Sequence, residues 1–142
     1  ARAEETLAAH AGRHAYALYT GGTGYTLLVS KDAADSLSFP GRSEAYAHLD
    51  VTVLHTLVLE GALGIDRENM ANQVNLRYTR SIAEAVARVR DGAATAAFLM
   101  NPTKIGEIRD VSLAGDKMPQ KSTYFYPKLK TGLVMNSLKQ RG

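Results

Sequence analysis

The chain has 142 residues, 45% of them hydrophobic and 22% charged, with no cysteine. That composition suits one ordinary globular domain with a buried core, and it excludes disulfides, thiolate zinc sites and cysteine nucleophiles. The net charge of +3 is uneven: Lys117 onward carries six basic residues and no acidic one, whereas the first 116 residues carry 11 basic and 14 acidic, an asymmetry that favours an anion or an acidic surface near the C-terminal part.

No apolar run approaches the length of a membrane span, and the opening residues lack the long apolar stretch of a signal peptide, so the expected location is the cytoplasm and no membrane partner is expected. The chain opens Ala1-Arg2-Ala3-Glu4-Glu5-Thr6-Leu7 without a methionine. Residues 1–12 read as a helix or linker already in progress, and the expectation for 1–142 is a single domain that forms the C-terminal part of a larger protein.

His14 to Thr20 alternates and is rich in tyrosine, Gly21-Gly22-Thr23-Gly24 follows, and Tyr25 to Ser30 resumes the alternation. Two short strands about a glycine-rich link predict a β-hairpin. A phosphate-binding loop is the alternative, but such a loop leads into a helix, and Tyr-Thr-Leu-Leu-Val favours a strand. Residues 31–43 are polar, contain Pro40-Gly41 and predict a loop. Asp50 is placed to cap a buried helix from Val51 to Glu60, stopped at Gly61. A strand is the competing reading, because Val51, Thr52 and Val53 are β-branched.

Val74 to Thr79 predicts a strand. Ser81-Ile82-Ala83-Glu84 predicts a capping box, with Ile82, Ala85, Val86 and Val89 on one helical face and Asp91-Gly92 as the stop. Ala96 to Met100 reads as a short buried strand. Thr103 is placed to cap a helix bearing Ile105, Ile108 and Val111, stopped at Gly115. Strand, helix, strand, helix over about 74–114 predicts a βαβα unit whose right-handed crossover makes the two strands parallel. Thr123 to Tyr126 and Leu133 to Met135 predict C-terminal strands. The predicted class is α+β, a mixed sheet combining the hairpin, the βαβα unit and the C-terminal strands.

Two places carry candidate chemistry. Asn101 and Thr103 sit where a strand ends and a helix begins, a common position for ligands in α/β sheets, although capping alone also explains these residue types. The stretch from Lys121 to Lys128 combines lysines, hydroxyls and aromatics. If extended, it puts Ser122, Tyr124 and Tyr126 on one face and Lys121, Thr123 and Phe125 on the other. A hydroxyl row flanked by lysines suits phosphate or carboxylate; the alternative is a strand with Phe125 in the core. Asn101, Thr103, Lys121, Ser122, Thr123, Tyr124 and Lys128 are therefore the candidate anion-binding residues.

Aromatics among basic residues also occur in single-strand nucleic-acid binders, but no ribonucleoprotein motif or zinc finger accompanies them, so nucleic acid is not the expected partner. His10 and His14 lie four apart without an evident third metal ligand, and Gly12 weakens a helix between them. No metal site is expected, and His48 and His55 read as packing or capping groups. Glu44, Asp50 and Asp116 are acids or bases with nothing to rank them, and the catalytic residues are unknown.

Several segments together resemble a bacterial and archaeal family known as domain of unknown function 1015. They are Leu49-Asp50-Val51, Leu54-His55, Leu59-Glu60, Leu63-Gly64-Ile65 and Ala97-Phe98-Leu99-Met100-Asn101-Pro102-Thr103. The series ends in Met118-Pro119-Gln120-Lys121-Ser122-Thr123-Tyr124-Phe125-Tyr126-Pro127-Lys128-Leu129, then Gly132-Leu133. The resemblance covers the chain from about Tyr16 onward. It implies the C-terminal part of a larger cytosolic protein whose upstream portion carries an Asp-Gly-His-His-Arg motif. That motif is similar to the phosphate-handling motif of ParB-related small-molecule kinases, including those acting on free serine.

The motif has no equivalent here, since Gly12-Arg13-His14 does not match it. A kinase role using ATP or ADP with Mg is thus implied for the parent and not for this portion by itself. The implied partners are a small phosphorylated or anionic metabolite and the N-terminal part of the same protein, and a homo-oligomer is compatible with them. The alternative is a non-catalytic structural, dimerisation or metabolite-sensing module.

Overall fold

The computed structural model of the protein describes residues 2–30 and 32–123. A helix α1 (Arg2–Ala9) leads into the strands β1 (Ala15–Tyr19) and β2 (Thr26–Val29). The link between the strands is a turn: Gly21 and Gly22 take φ of 105° and 79°, a region glycine enters without a Cβ penalty, and Tyr19 donates its hydroxyl to the Gly22 carbonyl. Two single-turn helices follow, α2 (Asp32–Asp35) and α3 (Glu44–Ala47). The predicted loop over 31–43 thus contains a helical turn, anchored where Ala34 is buried.

Helix α4 (Asp50–Val53) continues into a π-helix, Leu54–Glu60. Its wider turns close with i→i−5 bonds such as Gly61 N–H to the Thr56 carbonyl at 3.0 Å and Leu63 N–H to Val58 at 2.9 Å. The expected cap is corrected: Leu49 takes the N-cap position and Asp50 is the first helical residue, its carboxylate turned to His14.

Next come α5 (Arg67–Asn72), α6 (Ile82–Arg90), β3 (Ala97–Met100) and α7 (Ile105–Leu113). Helix α5 was not anticipated, although the Asp66 carboxylate caps it by accepting from Asn69 N–H at 2.8 Å. Its exit overturns the strand predicted over 74–79. Gln73 turns left-handed at φ 51°, Val74 N–H bonds back to the Asn69 carbonyl, and Asn75 N–H bonds to Asn69 Oδ1. Those amides are committed to the helix end and are not free to join a ladder, and Val74 is 68% exposed.

The sheet has three strands in the order β2-β1-β3, both pairings antiparallel. The parallel βαβα unit is therefore not formed. β3 pairs with β1, Tyr16 opposite Met100 and Ala17 opposite Leu99, and the crossover rule, which governs parallel connections, does not apply to this antiparallel pair. Alternation along β1 gives the sheet two packed faces. Ala15 and Ala17 face Leu7 of α1, with Leu99 and the partly buried Ile82 and Ala85 of α6. Tyr16 faces the other way, against Val53 and Leu54, with Phe98 and Met100 around it. A third cluster joins Leu49 and Val51 to Val111 of α7.

Two helix starts differ in detail from expectation. Ser81 Oγ accepts from Glu84 N–H as a cap should, but the Glu84 carboxylate accepts from the Thr79 hydroxyl, which in turn accepts from Ser81 N–H. Thr79 thus stands inside the box. Thr103 is not the cap of α7: Lys104 is, its N–H donating to the Glu107 carboxylate at 2.6 Å. Of the apolar face expected on α7, Val111 is fully buried but Ile105 is 85% exposed. The predicted strand over Leu133 to Met135, and all of the one over Thr123 to Tyr126 except Thr123, lie outside the described residues.

Candidate functional site

After Asp50, the α4–π segment is apolar except at Thr52, His55, Thr56 and Glu60. Steps of three and four residues put these on one side of the rod. They line a cavity of about 330 Å³. Arg67 and Met70 of α5 form another wall with Tyr78, Phe39 and Tyr46 close the side near α3, and the Pro119–Lys121 turn borders it. π-helical turns inside helices occur disproportionately at functional sites.

Three polar groups in this cavity are uncommitted. Thr52 is 4% exposed, and its hydroxyl has no hydrogen-bond partner among the described residues. A buried hydroxyl left unpaired costs about 1–3 kcal/mol. The half-buried His55 imidazole packs edge-on against the Tyr78 ring at 6.2 Å. Burial pulls its pKa below the ordinary histidine value, so the neutral ring, with one nitrogen free to accept, is the favoured form. Burial also pushes the Tyr78 phenol up, keeping it a hydroxyl donor.

Two cations border the cavity. Arg67 lies 3.9 Å from Glu60, with both side chains largely in solvent, so this pair contributes little to stability. Lys121 is exposed and left-handed at φ 61°, a conformation that costs a residue with a Cβ. The turn enforces it. Ser122 N–H and Ser122 Oγ both donate to the Pro119 carbonyl, and the Thr103 hydroxyl donates to the Ser122 carbonyl at 3.0 Å. An observed backbone strain of this kind is grounds for a functional hypothesis.

The aromatic wall is also braced. Phe39 meets Tyr46 edge to face at 5.9 Å, and the Arg42 guanidinium sits 4.9 Å over the Tyr46 ring. Arg42 is held in turn by Asp116 at 3.2 Å. Hydrogen bonds from Ser43, then the Arg42 charge, keep the Asp116 carboxyl below its ordinary range. Asp116 therefore ties the end of α7 to the start of α3, where Ser43 is the cap.

Of the residues singled out from sequence, Lys121 borders the cavity. Thr103 and Ser122 are brought together, but as the clip that shapes the Lys121 turn. Thr123 is half-buried next to that clip. Asn101 lies elsewhere, its amide donating to the Leu7 carbonyl at 2.9 Å and anchoring α1. Tyr124 and Lys128 lie outside the described residues. The residues missed are Thr52, Thr56, Arg67 and Tyr78, with His55 read as packing. Polar side chains recurring inside an apolar helix were the available signal. His10 is occupied with the Thr6 carbonyl and His14 with Asp50, so the two do not share a helix face.

Compared with known proteins, the chain matches no family model, no curated protein and no solved structure.

Proposed function

We propose that this chain is the anion-binding part of a phosphotransferase-like cytosolic enzyme whose remainder lies upstream, as its resemblance to the domain of unknown function 1015 implies. The supporting observation is Lys121. It is held left-handed at the edge of a cavity that also contains Arg67 and an unpaired buried hydroxyl, and among the described residues it has no acidic partner. A fixed cation beside uncommitted donors suits a phosphate or carboxylate better than it suits packing.

The cavity's carboxylate is Glu60, already facing Arg67, and among the described residues no group of three or more acidic, histidine or cysteine side chains gathers to hold a metal. Lys121 and Arg67 are the cations of the lining that would meet the anion's charge.

A second reading is a structural or metabolite-sensing module. What favours it is that Thr103 and Ser122, two of the candidate hydroxyls, donate to backbone carbonyls.

Thermal stabilisation by inorganic phosphate, phosphoserine, ADP and ATP separates the two, because a ligand at 100 times its Kd adds about 2.7 kcal/mol to the native state. A shift that Lys121→Ala removes is the expected result. No shift with any compound favours the structural module.

A further inference from the structure

We propose that the ligand of this cavity is a small aromatic acid, a planar ring bearing a phosphate or carboxylate, with the ring between the Phe39–Tyr46 and His55–Tyr78 pairs and the acid at Lys121 and Arg67. This rests on the anion-binding reading above and specifies the rest of the molecule.

Three features of the cavity carry it. The first is the walls. Both aromatic pairs are edge to face, at 5.9 Å and 6.2 Å. In such a pair the ring that contributes its edge has faces left for other groups, and Arg42 takes one face of Tyr46. Arg42 over Tyr46, itself fixed by Asp116, holds that wall in one orientation before any ligand arrives, so little ordering accompanies binding. The second is the balance of polar groups. Met70, Ala71, Phe39 and Pro119 present apolar surface. His55, Thr56, Tyr78 and Gln120 set polar points among them.

The third feature is size. About 330 Å³ lies at the lower end of the usual range for small-molecule sites, ~300–1,000 Å³. That accommodates a one- or two-ring acid and not a dinucleotide. Charge placement agrees, since the Arg67 and Lys121 side chains are exposed, where an acid group keeps part of its hydration.

The test is calorimetric titration of the 142-residue chain with phenyl phosphate, benzoate, inorganic phosphate, phosphoserine and benzamide. At least one ring acid should bind about tenfold or more tightly than the ringless anions and than uncharged benzamide, a difference well within what an enclosed ring supplies. Whichever of phenyl phosphate and benzoate binds more tightly identifies the acid. Tyr78→Leu should weaken the ring acid about fivefold or more and narrow its advantage over phosphoserine. In the unsubstituted chain, the ring acid should shift the His55 imidazole proton resonances through its ring current, a readout that needs no variant to fold.

Ringless anions binding as tightly as ring acids would overturn the aromatic inference while the anion-binding reading stands. Benzamide binding as tightly as the tighter of phenyl phosphate and benzoate would overturn the acid half of the inference. Absence of binding by every anion would remove the anion-binding reading and this inference with it.

Discussion

His14 Nδ1 lies 2.8 Å from Asp50 Oδ1, joining the residue before β1 to the first residue of α4. Facing a carboxylate, that nitrogen carries the proton. His14 is left-handed at φ 48°, so the bond is made at the cost of backbone strain. Tyr16 reinforces it by donating its hydroxyl to the Asp50 backbone carbonyl at 2.7 Å. His14 and Tyr16, just before and within β1, thus fix the start of the helix that carries Thr52, His55, Thr56 and Glu60 to the cavity lining.

His14→Ala and Asp50→Asn should each destabilise the chain by about 1–2 kcal/mol. Both side chains are partly buried, and each loss leaves a polar group without its partner. Asp50→Asn keeps the backbone carbonyl that Tyr16 uses, so the double variant should cost clearly less than the sum of the two. Urea denaturation of the four proteins measures the coupling, and additive losses would show that the two side chains do not act together.

Helix α7 offers a contrast within one element. Val111 is fully buried with Leu49 and Val51, whereas Ile105 is 85% exposed. Val111→Ala should cost about 1–3 kcal/mol through lost burial and the cavity it leaves, and Ile105→Ala should stay within about 0.5 kcal/mol of zero. Comparable losses at both positions, read by denaturation midpoints, would contradict the packing of α7 against the α4 start.

Asn101 anchors α1 through its amide. Asn101→Asp should destabilise more than Asn101→Ala, because it sets a carboxylate against the Leu7 carbonyl in place of a donor. The alanine should lose about 1 kcal/mol, the value of one hydrogen bond. Amide hydrogen exchange in α1 should rise in both variants, and unchanged protection there would sink the anchoring role.

What was legible in the sequence was local. Alternation about glycines marked the hairpin, Ser81 marked a helix start, and Ala97 to Met100 read as a strand because a short apolar run bounded by polar residues has few other uses. Pairing partners were not legible. β3 lies beside β1 across some eighty residues of chain, and nothing local at either end encodes that choice. Residues 74–79 misled because Val74 and its neighbours suit a strand, while the helix before them ends left-handed at Gln73, where glycine is the usual signal.

The π-helix was invisible for a related reason: a shift from i→i−4 to i→i−5 bonding changes no residue type. The cavity was half legible. Lys121 stood out by charge, whereas Thr52, His55 and Tyr78 gain their meaning from burial and from each other.

Gly61 ends the π-helix at a close approach. A Cβ there would lie 2.8 Å from the Leu57 carbonyl oxygen and 3.1 Å from that of Thr56, both backbone atoms. Helix propensity by itself predicts that Gly61→Ala gains up to about 1 kcal/mol. The contact predicts the reverse, a net loss of about 1–2 kcal/mol, because the wide turn must move to admit the methyl group. Thermal denaturation decides the sign, and a stabilised variant would mean that the turn relaxes freely.

The pH dependence of stability should carry the mark of His55. Burial lowers its pKa in the folded chain from the ordinary value of 6.5, so below that pH the unfolded chain takes up a proton that the folded chain resists. Stability then rises with pH wherever the unfolded state binds more protons. The contribution is complete above 6.5 and is lost as pH falls below it. Asp116 and Glu84 are shifted down as well, by hydrogen bonds from Ser43 and Thr79 first and then by their arginines. Their contributions are lost only near and below their ordinary values of 3.8 and 4.5, outside the histidine window. The charged and titratable groups around His55 are Tyr78 beside it and Glu60, Arg67 and Lys121 on the cavity lining. His55→Gln keeps a polar side chain at the site without the titration. Denaturant midpoints measured from pH 7.5 down to 5 should fall for the natural chain and fall less steeply for the variant; matching slopes would show that His55 is not the group whose protonation opposes folding.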